Sequence, residues 1–463
     1  MRNRRARGGW VGHARASDCS PRARAGILER AARAAAPTPA ATRSVPRMSD
    51  HPAPQSAPAG GAPRRILLAD CDMFFVQVAK LEDPEGTGRL ELVLVGGRPE
   101  SRGVVTSASY GARRFGVRSG MPMSQAVRLC PAATVVPVPR AACSRRSREV
   151  EAVLRRFAPT LEAASIDEFY LDLTGTERLY GGEPLDRVAE AIRRAVREQT
   201  GISVSLGGGT TRMIAKMATR LAKPEGIHVV PAGEEQAFML RWEVGDIPSV
   251  GPVMAEELRR RGVKTVREAL AVDEATLSLW LGESRGGWLF RRIRGIDPTP
   301  VGEASETKSV SHERTFARDL QGDDEIGAEL LRLAGETGST LRRKGLRGRT
   351  VTVKVRDADF RDRQASRTLP EAVESDRAIH GTARALLARL RAQRRTPVRL
   401  LGVGVSSLSP VDGPGQMALF DAALAETERD RSLSRAADAI RARFGAGALQ
   451  PGRILGGRPA GDD

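Results

Sequence analysis

Histidine, cysteine and aromatic residues are scarce in this chain of 463 residues. There are five histidines and four cysteines, and Phe, Tyr and Trp together make up 4%. Cys19, Cys71, Cys130 and Cys143 form no C-x-x-C pair and no Cys/His cluster. That excludes a zinc ribbon and a disulfide framework, and it makes a reducing cytoplasmic interior the expected setting. No run approaches the roughly 18 apolar residues of a membrane helix, so no membrane partner is expected. A G-x-x-x-x-G-K-[ST] phosphate loop is missing, and there is no internal repeat. Whatever chemistry the chain performs falls to carboxylates.

Positive charge, by contrast, is in excess. The formal net charge is +18, and half of it lies in residues 1–47, where eleven arginines face two acids. Residues 1–63 read as a disordered basic leader. It is a transit peptide, a nucleic-acid-binding arm, or upstream sequence not translated when synthesis starts at Met48. The balance of the charge, spread over the remaining chain, favours a polyanionic partner.

The run Ile66-Leu67-Leu68-Ala69 reads as a buried strand that closes on Asp70 and Asp72, which share a strand face at i and i+2. A second acidic pair, Asp167-Glu168, sits in the strand-like stretch SIDEFYLDL. Carboxylates at a strand end are costly unless something positive compensates them. If the two strands are neighbours, three or four acids converge, a donor set of hard oxygens suited to Mg²⁺. The order of elements is βαβ…βαβ, which predicts an α/β domain. In GISVSLGGGTTRMIAK the expectation is a strand, a glycine turn and a helix carrying Lys216, a point charge for a phosphate. Tyr110 and Arg113 lie one helical turn apart and suit a triphosphate.

Residues 240–300 read as a small all-helical unit and 301–309 as a polar linker. Val351, Val353 and Val355 alternate with polar residues in a half-exposed strand. With VRLLGVGVSSL and helices at 324–344 and 375–392, this predicts a final α+β domain. Residues 339–369 hold ten Lys or Arg against three Asp, more than solubility requires. Gln416, Met417, Leu419 and Phe420 lie in a Gly/Pro-rich tail, where exposed Met, Leu and Phe are typical groove anchors. A charged helical stretch runs from there to about Phe444, with no role assigned.

Between about Arg64 and Leu408 the chain carries the stretches DCDMFF, RGVVTSASYGARRFGVRSGMP, SIDEFYLDLTG, AKMATRLAKPEG, IPSVGPVMAEEL and KSVSHERTF. In order and spacing they resemble the Y-family translesion DNA polymerases, most closely the bacterial DNA polymerase IV class. The resemblance implies an α/β and α+β multidomain right hand. Its palm takes residues 64–73 and 138–236, its fingers 74–137, and a helix-hairpin-helix thumb 237–300. The linker is 301–309, the little finger 310–408 and the tail 409–463. It implies a DNA-directed DNA polymerase adding dNTPs to a primer end past damage, with two Mg²⁺ ions and no proofreading exonuclease.

On that resemblance Asp70, Asp167 and Glu168 are the catalytic metal ligands, joined by the backbone carbonyl of Cys71. Asp72 is acidic but not a primary ligand. Phe75 is the steric gate beside Phe74, and Ser107, Tyr110, Arg113 and Lys216 contact the triphosphate. Val250 and Gly251 contact the DNA backbone at the hairpin; Arg342, Arg343, Lys344, Arg347, Arg349, Lys354 and Arg356 do so in the little finger. Gln416, Met417, Leu419 and Phe420 resemble a sliding-clamp peptide on an otherwise monomeric enzyme. Cys71, Met73, Phe169 and Thr211-Arg212 depart from common usage, which leaves pocket shape and lesion preference open. A clamp-bound adaptor and a nucleotide cyclase are the rival classes. The retained acids argue against the first; the hairpin, the basic last domain and the tail peptide argue against the second.

Overall fold

The structure, a computed structural model, describes residues 63–302, 306–411, 426–445, 447–449 and 452. It opens with strand β1 (Ile66–Cys71) and helix α1 (Phe74–Glu82). The fingers follow, with β2 (Val93–Gly96), β3 (Val105–Ala108), α2 (Tyr110–Arg113), α3 (Met123–Leu129) and β4 (Thr134–Val136). Their sheet runs β3-β2-β4. The palm is completed by α4 (Arg140–Leu154), β5 (Thr160–Ala163), β6 (Glu168–Asp172), α5 (Leu185–Thr200), β7 (Val204–Gly209), α6 (Arg212–Ala222) and β8 (Ile227–Val229). Its strand order is β5-β6-β1-β7-β8.

Alternation along β1 sorts the palm into two faces. Leu67, Ala69 and Cys71 pack with Phe169, Leu171 and the apolar stripes of α4 and α5. Ile66 and Leu68 turn the other way, towards Tyr170 of β6 and Ala215 of α6. Although the elements occur in βαβ order, β1 is antiparallel to both its neighbours, β6 and β7. The chain leaves β1 for the fingers and returns through β5 and β6, so the first connection is no parallel crossover.

The three glycines of SLGGG are not a turn. They belong to β7, and a Cβ on Gly207 would lie 2.1 Å from the Ala215 carbonyl oxygen and 2.2 Å from the Thr219 amide. Absent side chains let α6 lie directly on the sheet. Thr211 starts that helix by accepting a bond from the Ile214 amide.

Helices α7 (Glu235–Met239), α8 (Pro252–Arg260), α9 (Val266–Leu270), α10 (Glu274–Leu281) and α11 (Glu283–Arg292) make the thumb. The linker is anchored at its start: Val301 is buried against Ile66, Leu68 and Tyr170, and Arg212 donates to the Pro300 carbonyl at 2.8 Å.

The little finger holds β9 (Ser309–Leu320), α12 (Asp323–Arg343), β10 (Leu346–Asp357), β11 (Asp362–Val373), α13 (Asp376–Gln393) and β12 (Val398–Pro410). Its sheet is antiparallel throughout, in the order β11-β10-β12-β9. Val351, Val353 and Val355 bury one face under α12 and α13. The tail helix α14 (Glu428–Phe444) folds back onto this domain. Glu426, just before it, accepts from the amide of Glu374 at 2.9 Å and is ion-paired with Arg431. The tail peptide at 416–420 and the basic leader lie outside the described residues.

Candidate active site and nucleic-acid interface

Register brings the acids together. Asp70 lies directly opposite Glu168 on one side and Ser205 on the other, all three on the α6 face at the open end of the sheet. Two lysines of α6 and its C-cap lie over this row. Lys216 Nζ donates to the Glu168 carboxylate at 2.6 and 2.9 Å, and Lys223 Nζ donates to Asp70 at 2.6 Å. Their spacing of seven residues places both on one helix face. Lys223 is a site residue that the sequence reading missed, although AKMATRLAKP displays the repeat.

Burial pushes the Asp70 carboxyl up to about 6; Lys223 opposes the rise, and Glu168 and Asp167 add to it. Asp167 is turned to the Ser165 hydroxyl, which donates to it at 2.6 Å, and its carbonyl accepts from the Cys71 amide at 2.9 Å. Among the described residues, no three His, Cys, Asp or Glu side chains are drawn together tightly enough to hold a metal ion as they stand. Lysine nitrogens occupy the carboxylate oxygens instead. The donor chemistry nevertheless fits a hard divalent cation, because every candidate ligand is oxygen and the charges of Glu168 and Asp167 both reach Asp70, adding to a rise that burial dominates.

Asp72 is fully buried and committed elsewhere. It accepts from the Tyr110 hydroxyl at 2.8 Å, from the Ser205 hydroxyl at 2.9 Å and from the Glu225 amide at 3.1 Å. It therefore holds Tyr110 in place, and burial together with Asp72 keeps that phenol protonated. The Arg113 guanidinium stacks over the Tyr110 ring at 5.0 Å and donates to the Ala108 carbonyl. Ser107 is buried on β3 beside them. Of the aromatic pair, only Phe75 keeps an exposed edge. Phe74 is 1% exposed and packs in the palm core, which withdraws its ring from the site.

In the thumb, Val250 is buried and its amide is taken by the Ile247 carbonyl at 3.0 Å. Gly251 is exposed and caps the start of α8. In the little finger, the sheet face away from the helices is polar. Thr350 and Thr352 meet Thr368 and Ser366 across β10 and β11, and Gly402 and Gly404 lie beside them on β12. Lys354 and Arg356 stand on this face, paired with Glu313 and Asp362. Arg349 donates to the Leu369 carbonyl, and Arg343 and Lys344 end α12; Arg347, on β10, is part of the same stripe. Arg342 departs from the set. Its side chain is 5% exposed, ion-paired with Asp376 and Asp438, so it ties α14 to the domain and faces no polyanion.

Opposed carboxylates under helix lysines, in a palm with fingers and thumb attached, suit phosphoryl chemistry on a polyanion. The class this fold and site define is the template-directed nucleotidyl transferases. Residues 69–220 match the impB/mucB/samB family, and residues 307–419 match its C-terminal domain. The DNA polymerase IV of Dehalococcoides mccartyi is 36% identical over 390 residues, spanning 84% of this chain and 97% of its own. That of Halorhodospira halophila is 40% identical over 350 residues, spanning 75% and 96%. Among solved structures, a Y-family DNA polymerase chimera of Dbh and Dpo4 superposes with a TM-score of 0.67 at 25% identity, over 74% of this chain and 98% of that one. An insertion ternary complex of Dbh DNA polymerase gives 0.51 over the same shares. The chain belongs to the Y family of DNA polymerases, in its DNA polymerase IV branch, and is a translesion DNA-directed DNA polymerase.

Proposed function

We propose that Asp70, Glu168 and Asp167, with the carbonyl of Cys71, hold two Mg²⁺ ions where a deoxynucleotide is joined to a primer 3′ end. The observation that carries this is the direct register of Asp70 with Glu168 beneath Lys216 and Lys223. Bound divalent ions supply activation of the 3′-hydroxyl and neutralisation of the leaving group. The chain's own part is positional. The two lysines leave the carboxylates and take non-bridging oxygens of the triphosphate, with Lys223 the nearer to Asp70. Arg113 and Ser107 donate to the same triphosphate, and Tyr110, whose one hydroxyl proton goes to Asp72, must release that bond to join them. Phe75 closes the space under the sugar and excludes a 2′-hydroxyl.

Gly251 and the polar face of the little finger hold template and primer by phosphates, without reading sequence. Gln416, Met417, Leu419 and Phe420 dock on a sliding clamp. The enzyme works as a cytoplasmic monomer and has no proofreading exonuclease. Lys223→Met tests the assignment. We expect the dNTP KM to rise by about tenfold to a hundredfold, the value of a charge-assisted hydrogen bond, with DNA affinity unchanged. An unchanged KM, or loss of DNA binding in its place, contradicts it.

A further inference from the structure

We propose that Arg102 of the fingers latches the little finger in place by gripping a bulge in β9, and so positions that domain before DNA is bound. β9 is an edge strand of the little-finger sheet. Its partner β12 pairs Leu400 with Thr315 and then Val398 with Leu320, so residues 316–319 leave the ladder. Phe316 anchors the bulge by burying its ring in the little-finger core. Arg102 donates to the Phe316 carbonyl at 3.2 Å and to the Asp319 carboxylate at 2.5 Å. It is held out by the loop between β2 and β3, whose neck is closed by Gly97 against Gly103; a Cβ on Gly103 would meet Gly97 at 2.5 Å.

One arginine thus satisfies a bulge carbonyl and a carboxylate of another domain, with each ion-pair partner only 25% exposed. A second arginine sharpens the arrangement. Arg399 of β12 lies over the Phe360 ring at 4.4 Å. Burial, and then the charge of Arg102, hold its guanidinium below the usual range, with Asp319 opposing. Asp319 therefore offsets the repulsion between two cations, and removing it leaves that repulsion uncompensated.

The test needs no DNA and does not depend on the active-site reading. Spin labels are placed at Ser124→Cys in the fingers and Ala385→Cys in the little finger of the full chain, in a Cys19→Ser background. Arg102→Ala should raise the population away from the latched distance by about threefold to tenfold, and Arg102→Lys by less. Asp319→Asn should open it further, and added salt should partly reclose that variant while loosening the native protein. Arg318→Ala, on the same bulge but paired with Glu325 inside the little finger, should change nothing. Unfolding midpoints within the native range certify the variants. Superimposable distance distributions, or an Arg318→Ala shift as large as that of Arg102→Ala, overturn the proposal.

Discussion

Gly207→Ala is the smallest change that should separate α6 from the catalytic strands. The added Cβ would stand 2.1 Å from the Ala215 carbonyl, 2.2 Å from the Thr219 amide and 2.3 Å from its hydroxyl. Two of these three atoms are backbone, so no rotamer relieves the clash. Ordinary carbon–oxygen contact lies about 1 Å further out, and the helix must move by roughly that distance. Overpacking of this kind costs about 3 kcal/mol. The same displacement carries Lys216 and Lys223 away from Glu168 and Asp70, and a 1 Å misplacement of positioning groups costs about a hundredfold in rate. Urea unfolding and single-nucleotide incorporation, measured on one preparation, read both effects. Gly327→Ala in α12, where the new Cβ meets nothing within 4 Å, is the control and should stabilise by about 0.5–1 kcal/mol. A Gly207→Ala protein with native stability and native incorporation would refute the idea that glycines admit α6 to the sheet.

Phe75→Ala should relax exclusion of ribonucleotides by at least about tenfold in relative kcat/KM, measured by single-turnover incorporation of dNTP against rNTP; unchanged selectivity would remove the gate. Asp70, raised from 3.8 to about 6, binds its proton more tightly folded than unfolded, so its contribution to stability falls as pH rises from about 4 to 6. The change is at most about 3 kcal/mol. Thermal unfolding in chelator should show it, excess Mg²⁺ should offset it above pH 6, and Asp70→Asn should abolish the difference. Arg342→Ala leaves Asp376 and Asp438 with only their longer ion pairs to Arg441 and should cost about 2 kcal/mol by denaturant unfolding, whereas Arg343→Ala with Lys344→Ala should leave stability within about 0.5 kcal/mol. The latter pair should instead lower the salt slope of DNA binding by about one for each phosphate no longer neutralised.

The acidic strand end was legible because an apolar run that stops on two aspartates is too costly to bury without a cation to balance them. Its partner was legible only as a second acidic stretch; which strand lies next to which is set by tertiary pairing that no local pattern encodes. Helices 324–344 and 375–392 match α12 and α13 closely, since their apolar spacing is strong. β9 and β11 carry charged and hydroxyl residues on a solvent-facing side, which dilutes the strand signal, and neither stands out in the sequence as a strand. SLGGG suggested a turn because glycine clusters usually punctuate chains, and only the close approach of α6 explains it as strand. The ring of Phe74 and the side chain of Arg342 are buried where the sequence suggested contact, because adjacency to a candidate residue says nothing about burial. The docking of α14 uses a set of long-range polar pairs, among them Glu426 with the Glu374 amide, Arg342 with Asp438 and Arg435 with Glu374, to which periodicity is blind.

The central claim is that Asp70 and Glu168, paired across β1 and β6, are the nucleotidyl-transfer centre. Primer extension on primed DNA with Mg²⁺ and dNTPs, by the native chain and by Asp70→Ala and Glu168→Ala singly, tests it most directly. The native enzyme should extend the primer and each variant should lose about a thousandfold or more, with primer-template affinity retained. Extension by either variant at near-native rate, or none by the native chain on DNA it demonstrably binds, would contradict it.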